Sequence, residues 1–268
     1  MFCFVRFRLR LAGWCAAALL ASGCASGPPI DTRYTSQGQD SRVLFLILHF
    51  TVADFPLSVR ILTQGAVSSH YLLSDEPTPV IYRLVDENRR AWHAGDSAWK
   101  NHAMLNASSI GIEIVNPGPL KLPSGEKRYA PFRADQIEAL IPLIRDIVAR
   151  HQIRPERILG HSDIRPQVKD DPGPAFPWKR LADEGLIPWP DAGLVNSQLA
   201  RYVVQLPDMR WFQTRLAIHG YRIEVTGTLD EATRKVIAVF QMKYRPARWD
   251  GQPDAETAAL LHVLTQAP

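Results

Sequence analysis

The sequence predicts an α/β domain, in which a mixed central sheet is flanked by helices, followed by a small all-α domain of three helices. Short apolar runs alternate with segments of helical apolar spacing up to about residue 190, as in domains built around one sheet. The proline-rich stretch Leu186–Gly193 interrupts this pattern, and residues 196–268 have helical spacing alone. A chain of 268 residues has room for two domains. We therefore expect one domain over residues 42–190 and a second over residues 196–268.

Five segments predict the strands of the sheet. Val43–Phe50 is short, continuous and apolar, as expected of a buried strand. Ser68–Leu73 and Val80–Val85 are separated by a turn-rich segment, which indicates two further strands. Ser109–Val115 alternates in polarity and ends at Asn-Pro-Gly, so it predicts another strand. Ile158–Gly160 is expected to be a short one.

Two helices are predicted around this sheet. Pro56–Gln64 follows Asp54, a residue type that caps helix N-termini. Arg133–His151 has its apolar residues at helical spacing. The first domain therefore mixes strands with helices in the order expected of an α/β fold.

The second domain is predicted to contain the helices Met209–His219, Asp230–Tyr244 and Ala255–Thr265. Thr228, three residues before a glutamate, suggests a capping box at the second of these helices. A pattern of the form Gly-x-x-Asp-x-x-Thr occurs at residues 227–233 and again at residues 251–257. We expect each copy to open a helix.

The first residues have the order of an export signal. Three arginines precede the apolar segment Leu11–Ala21, which is too short for a comfortable membrane span. Leu20–Cys24 resembles a bacterial lipobox, so residues 1–23 are expected to be a lipoprotein-type signal peptide and Cys24 to carry a lipid. An ordinary cleaved signal is the alternative. Residues 24–41 are polar, with glycine and proline, and predict a tether.

Charge and cysteine content exclude several classes of protein. The formal net charge is only +4, and no basic run with interleaved aromatic residues suggests nucleic-acid binding. All three cysteines lie within the first 24 residues, so the folded part has neither an internal disulfide nor a cysteine-bound metal. Neither a Gly-x-Ser-x-Gly nor a His-Glu-x-x-His motif is present in the sequence.

Two histidines and an aspartate suggest a metal site. His49 ends the first predicted strand, and His161 and Asp171 lie ten residues apart in a loop of turn-forming residues. Each has an ordinary explanation when taken singly: a packed histidine, a helix cap and a turn residue. Together they form the open three-ligand set of a catalytic zinc, which leaves a fourth position for water. The combination favours a metal-assisted hydrolase.

Two further residues are candidates for catalysis. Glu113 shares a strand face with Gly111, which is either a solvated face or a cleft in which the carboxylate takes a proton from water. In the second case Gly111 would leave space for a substrate. Lys169 is either a solvated loop lysine or an ammonium that stabilises an oxyanion. Trp92–Gly95 is a candidate lining of the cleft.

Several blocks of residues together resemble the zinc-dependent N-acetylmuramoyl-L-alanine amidases of the amidase-2 family, which share their fold with peptidoglycan recognition proteins. The blocks are Leu46–Thr51, Ser68–Leu72, Ala91–Gly95, Asn106–Glu113 and Gly160–Gly173 with Phe176–Trp178. The resemblance implies that His49, His161 and Asp171 bind zinc. It also implies that Glu113 is the general base or acid and Lys169 the electrostatic stabiliser.

The C-terminal residues are similar to the peptidoglycan-binding three-helix module. The matching positions are Phe212–Leu216, Gly220–Tyr221, Thr226–Asp230, Thr233 and Phe240–Gln241. With the lipobox, the whole arrangement resembles the periplasmic lipoprotein amidases of Gram-negative bacteria. Ala25 after the cysteine implies, by the same resemblance, sorting to the outer membrane.

The resemblance implies hydrolysis of the amide between N-acetylmuramic acid, or its 1,6-anhydro form, and L-alanine of the stem peptide. Peptidoglycan or muropeptides are then the partners, and Zn²⁺ the cofactor. Three alternatives remain at this point. The chain is a non-catalytic peptidoglycan-fragment recognition protein, it has a structural zinc and a different hydrolytic site, or it is an endopeptidase that cleaves within the peptide.

Overall fold

The computed structural model describes residues 28, 30–123, 125 and 127–266. The predicted signal peptide and Cys24 lie outside these residues. The chain up to Asp40 is a unit of its own, and its described part contains neither helix nor strand. Ser41 begins the second unit, which contains every element described below. Within the described residues, no helix combines the length and the apolar character that crossing a membrane requires.

The described elements are numbered in chain order. The strands are β1 (Phe45–Phe50), β2 (Tyr71–Leu73), β3 (Ile81–Arg83), β4 (Ala98–Trp99), β5 (His102–Ala103), β6 (Ser109–Ile114), β7 (Pro119–Lys121), β8 (Lys127–Tyr129) and β9 (Ile158–Gly160). The helices are α1 (Phe55–Gln64), α2 (Ala134–His151), α3 (His161–Ile164), α4 (Trp178–Asp183), α5 (Ala192–Val204), α6 (Met209–His219), α7 (Glu231–Tyr244) and α8 (Ala255–Leu264).

The central sheet has the strand order β3-β2-β6-β1-β9. β1 is parallel to both β6 and β9, β2 is parallel to β6, and β3 is antiparallel to β2. This is the predicted mixed sheet, and all five predicted strands are present, although β2 and β3 are shorter than their sequence segments. The hairpins β4–β5 and β7–β8 were not predicted.

The two faces of β1 bury different neighbours because side chains alternate along a strand. Leu46 and Leu48 belong to one apolar cluster with residues of α2. Phe45 and Ile47 belong to a second cluster with residues of α6, α7 and α8. Helices therefore cover both faces of the sheet, which explains why this strand is apolar at consecutive positions. His49 continues the second face at the end of the strand.

The C-terminal part contains one helix more than the sequence predicted. The helices α5–α8 (the C-terminal module) include Ala192–Val204, which begins inside the stretch that was expected to be a boundary. Asp191 caps α5 by accepting a hydrogen bond from the backbone N–H of Leu194. The two prolines before Asp191 interrupt regular structure in the preceding segment, but they do not prevent a helix from starting after them.

The repeated glycine–aspartate–threonine pattern opens α7 and α8 in the same way. Asp230 and Asp254 are the N-caps, and each accepts the backbone N–H of the threonine three residues later. The capping box predicted at Thr228 is therefore wrong, since the aspartate two residues later takes that position. In each copy a buried glutamine, Gln213 or Gln241, bonds both the glycine N–H and the threonine hydroxyl.

Candidate active site

The register of β1 and β6 places His49 directly beside Glu113. Both strands run in the same direction, so both side chains lie at the carboxyl end of the sheet and on the same face. This edge of a parallel sheet is where α/β proteins most often bind ligands. Strand alternation left open whether Glu113 faces solvent or a cleft, and the structure places it in the lining of a cavity.

The loop between His161 and Asp171 (the His161–Asp171 loop) brings two more donors to this edge. His161 opens α3 immediately after β9, which pairs with β1 on the side opposite β6. The loop returns so that the backbone N–H of Ser162 donates to the carbonyl oxygen of Asp171 at 2.8 Å. Gly160 permits this closure because a Cβ there would lie 2.7 Å from Cδ of Pro172.

Three ligand atoms converge at this edge of the sheet. The distances between Nδ1 of His49, Nδ1 of His161 and Oδ2 of Asp171 are all 3.1 Å. Neighbouring ligands of a tetrahedral zinc with bonds of roughly 2.0–2.1 Å lie about 3.3 Å apart, so the triangle has the size that zinc requires. Among the described residues this is the group of histidine, cysteine and acidic side chains that could hold a metal ion.

The electrostatics of the three residues also suit a cation. Burial, followed by the neighbouring His161, lowers the pKa of His49 to about 4, so its imidazole is neutral at neutral pH. Burial opposes ionisation of Asp171, but His161 and His49 outweigh it and hold the pKa of this carboxyl below its ordinary value. The set therefore offers the neutral imidazole of His49, the imidazole of His161 and an ionised carboxylate as ligand groups for a cation.

His93 contacts this set in a way that the sequence did not reveal. Its Nδ1 lies 3.0 Å from Nε2 of His49, and its Nε2 lies 3.2 Å from Oγ of Ser109. A Cβ on Gly111 would lie only 2.6 Å from the His93 ring. The expectation that Gly111 leaves space for a substrate was therefore wrong, because this imidazole fills the space. A glycine in the middle of an apolar strand was the one available signal.

Glu113 has an unpaired oxygen in the pocket. Its Oε2 is buried and has no hydrogen-bond partner among the described residues. Burial, and then the negative charge of Asp171, raise the pKa of Glu113 well above its ordinary value. A buried polar atom without a partner is unfavourable in a folded protein and is most often retained for function. The carboxyl group is therefore positioned to exchange a proton inside the cavity.

Lys169 lines the same cavity of about 330 Å³. Its ammonium makes no hydrogen bond or ion pair with the residues that the structure describes, so its charge is available to a ligand. Trp92 and His93 also line the cavity, as expected from the sequence, and Trp92 is exposed at its rim. Four of the five site residues predicted from the sequence therefore line one cavity, and the fifth, His49, contacts two of them, His161 and Asp171, directly.

Two family models match the chain. Residues 39–174 match the model described as N-acetylmuramoyl-L-alanine amidase, and residues 205–261 match one described as a peptidoglycan binding domain. The first match contains all five candidate site residues. The second lies within the C-terminal module.

Individual proteins agree with these matches. N-acetylmuramoyl-L-alanine amidase AmiD of Escherichia coli is 45% identical over 265 residues, which cover 94% of this chain and 95% of that protein. A structure of Escherichia coli AmiD with the substrate anhydro-N-acetylmuramic acid-L-Ala-D-gamma-Glu-L-Lys aligns with a TM-score of 0.79 at 43% identity, over 88% of this chain and 93% of that one. AMPDH3 from Pseudomonas aeruginosa, in complex with anhydromuramic pentapeptide, aligns with a TM-score of 0.80 at 36% identity, over 88% and 96% of the two chains.

Proposed function

Since this chain belongs to the N-acetylmuramoyl-L-alanine amidase family, we propose that it hydrolyses the amide between N-acetylmuramic acid, or its 1,6-anhydro form, and L-alanine of peptidoglycan stem peptides. One observation carries the proposal. Two corners of the ligand triangle, His161 and Asp171, line the same cavity as Glu113, and the third, His49, lies beside Glu113 in the sheet. A metal site and a proton acceptor side by side are the groups that metal-assisted hydrolysis of an amide uses.

We propose zinc as the ion held by His49, His161 and Asp171, because two imidazoles and one carboxylate form a common catalytic zinc set. Three protein ligands leave a coordination position free for water or substrate. When bound there, zinc supplies a Lewis acid that polarises a carbonyl and lowers the pKa of water. The remaining chemistry is carried by residues of the chain.

Glu113 is proposed as the general base. Glu113 lines the cavity and its carboxyl group has a buried oxygen without a partner, so this carboxylate can accept a proton on one of its oxygens from the attacking water. The same oxygen can then return this proton to the departing amine nitrogen of L-alanine, which balances the reaction without a further acid. A neighbouring cation would make the carboxylate easier to ionise, because it offsets the burial that raises the pKa of Glu113.

Lys169 is proposed to stabilise the negative charge that develops on the carbonyl oxygen during attack. Lys169 lines the cavity, and its ammonium forms no ion pair with the residues that the structure describes. A charge that is already in place and not neutralised by a salt bridge needs little reorganisation when the oxyanion forms. Trp92 at the rim offers a flat apolar surface to the substrate.

We assign catalysis to residues 42–190 and wall binding to residues 196–268. The match of residues 205–261 to a peptidoglycan binding domain supports the second assignment. Attachment to the wall would raise the local concentration of scissile amides at the active site.

The N-terminal residues are proposed to place the enzyme in the cell envelope. In this proposal residues 1–23 are the signal peptide, Cys24 carries the lipid that anchors the protein to the outer membrane, and residues 24–41 tether it on the periplasmic side. Incorporation of labelled palmitate into the wild-type protein, and its loss in Cys24→Ala, would test this. Release of an unlabelled mature protein would instead indicate an ordinary cleaved signal.

Mass spectrometry of reaction products tests the activity. The zinc-loaded protein is incubated with purified sacculi and with soluble anhydro-muropeptides, with and without a chelator. We expect the release of free stem peptides that begin with L-alanine, and no release when the chelator is present. Binding without any release of peptide would indicate a recognition protein, and cleavage inside the peptide would indicate an endopeptidase.

A further inference from the structure

Asp163 is a buried carboxylate in the His161–Asp171 loop, two residues after His161. It is only 1% exposed, and it accepts three hydrogen bonds. The first comes from within the same part of the chain, since the backbone N–H of Gly160 donates to Oδ2 at 2.9 Å. A buried carboxylate is tolerated when several donors satisfy it. The other two hydrogen bonds to Asp163 come from a different part of the chain.

Both remaining donors belong to the C-terminal module. The ammonium of Lys243, on α7, donates to Oδ2 of Asp163 at 2.8 Å and is itself 5% exposed. The hydroxyl of Tyr221, in the segment between α6 and α7, donates to Oδ1 at 2.8 Å. Burial, and then the charge of Asp163, raise the pKa of Tyr221 well above its usual value, so it remains a donor. The Lys243 ammonium also lies 4.2 Å from the centre of the Trp178 ring.

A second pair of contacts joins α7 to the same loop. The side-chain amide of Gln167 donates to the carbonyl oxygen of Ala232 at 3.2 Å. The ammonium of Lys235 donates to the carbonyl oxygen of Gln167 at 3.2 Å. Helix α7 therefore contacts the loop near its start, through Asp163, and again near its end, through Gln167.

The local structure of the loop is limited to one short helix and a few backbone hydrogen bonds, among them the one from Ser162 to Asp171. Its helix α3 has only four residues, and a single helical turn is not stable in isolation. Charge-assisted hydrogen bonds to a buried carboxylate are short and directional, so they restrict where the backbone of α3 can lie. His161 belongs to that same turn, and its Nδ1 is part of the ligand triangle.

We propose that Lys243 and Tyr221 of the C-terminal module are positioning residues for the active site: they hold Asp163 and thereby fix the His161–Asp171 loop in the geometry that binds the metal. The module then has a second role beside attachment to the wall. Attachment affects only the cleavage of insoluble peptidoglycan, whereas positioning affects metal binding and the cleavage of soluble substrates as well. The metal readout rests on the proposed zinc site, but the order of the loop in the metal-free protein does not.

The test compares full-length variants. Lys243→Met removes the ammonium, and Tyr221→Phe removes one hydrogen bond while it keeps the ion pair. Arg245→Met is the matched control, because Arg245 is a buried cation of the module whose ion pairs are with Asp254 and Glu256, inside the module. Three quantities are measured well below the unfolding temperature: hydrogen exchange of residues 161–171 without metal, zinc affinity by chelator competition, and kcat and KM on a soluble anhydro-muropeptide.

We expect Lys243→Met to speed hydrogen exchange in the loop and to lower kcat by a larger factor than it changes KM. Zinc binding should weaken by about 10–100-fold, as it does when a metal ligand loses the residue that orients it. Tyr221→Phe should shift all three in the same direction by less. Arg245→Met should leave them unchanged. Equal behaviour of Lys243→Met and Arg245→Met would overturn the proposal.

The outcomes separate this proposal from the proposed function. A wild-type protein that neither binds zinc nor cleaves muropeptides would contradict the amidase mechanism, and hydrogen exchange in the loop would still decide whether the module positions it. If Lys243→Met fails to fold, Tyr221→Phe decides: loop exchange and zinc affinity identical to wild type would overturn the role of the module.

Discussion

Nε2 of His49 lies 3.0 Å from Nδ1 of His93, and this contact selects the nitrogen that His49 offers to a metal. The hydroxyl of Ser109 donates its proton to the carbonyl oxygen of Leu105 at 2.6 Å, so it can only accept from Nε2–H of His93. Burial, followed by the nearby His49, lowers the pKa of His93 well below its ordinary value, so the ring is neutral and its Nδ1 is an acceptor. His49 must then carry its proton on Nε2, which leaves the lone pair on Nδ1 for the metal.

Replacing His93 should weaken metal binding although it is not a ligand. We expect His93→Ala to lower zinc affinity by about 10–100-fold, because His49 loses the partner that orients its ring and selects its tautomer. Chelator competition measures the affinity. Ser109→Ala, which removes only the more distant link, should have a smaller effect in the same direction. An unchanged affinity in His93→Ala would show that His49 is oriented by its strand alone.

Glu113→Gln should separate catalysis from metal binding. The substitution keeps the shape of the side chain and removes its ability to accept a proton. We expect kcat on a soluble anhydro-muropeptide to fall by about 10²–10⁴-fold, the usual contribution of a general base, while the zinc content stays that of wild type. Retained activity would mean that the zinc is structural and that hydrolysis occurs elsewhere.

Lys169→Met should act on the transition state rather than on substrate binding. We expect kcat to fall by about 10²–10³-fold, comparable to removal of one oxyanion donor, with little change in KM. Lys179→Met is a suitable control, since Lys179 is an exposed lysine paired with Asp183 on α4. A rise in KM at constant kcat would instead assign Lys169 to the binding of substrate carboxylates.

The proposed metal ligands could be predicted from the sequence because their signals are local, whereas the roles of Glu113 and Lys169 were implied by the family resemblance. His49 lies near the end of β1 and Glu113 near the end of β6, and the parallel register of the two strands brings them side by side. The role of His93 could not be predicted, because its approach to His49 depends on the space above Gly111 in the folded sheet. Sequence spacing alone contains no information about which ring fills that space.

The position of the C-terminal helices was also beyond the sequence signals. Continuous apolar character in β1 indicates that both faces are buried, but it does not identify what covers the second face. The structure places Phe240 of α7 in the cluster that contains Ile47. Helix α5 was not predicted because prolines and a glycine around its start indicated a boundary. The sequence signal for this helix is Asp191, a residue type that caps helix N-termini.

Glu87 joins strand β2 to helix α2 through side-chain hydrogen bonds. It accepts hydrogen bonds from the hydroxyl of Tyr71 at 2.5 Å, from the guanidinium of Arg150 at 2.9 Å and from the ring of His151 at 2.8 Å. Burial opposes ionisation of this carboxyl, but the hydrogen bonds from Arg150, Tyr71 and His151 outweigh it and lower the pKa of Glu87 to about 2. Its ordinary value is 4.5.

This lowered pKa makes Glu87 a source of acid-sensitive stability. A carboxyl whose pKa is lower in the folded than in the unfolded state stabilises the fold fully above its unfolded pKa, and the stabilisation is lost as the pH falls from about 4.5 towards 2. We expect Glu87→Gln to be less stable than wild type at neutral pH and to lose less of its stability across that interval. Urea unfolding at a series of pH values measures the free energy of unfolding of each protein. The metal is removed beforehand, because protonation of its ligands and loss of the metal would otherwise add a second pH-dependent change. Glu138→Gln, which alters an exposed pair with Arg180, is the control. Parallel stability curves for wild type and Glu87→Gln would show that the acid sensitivity arises elsewhere.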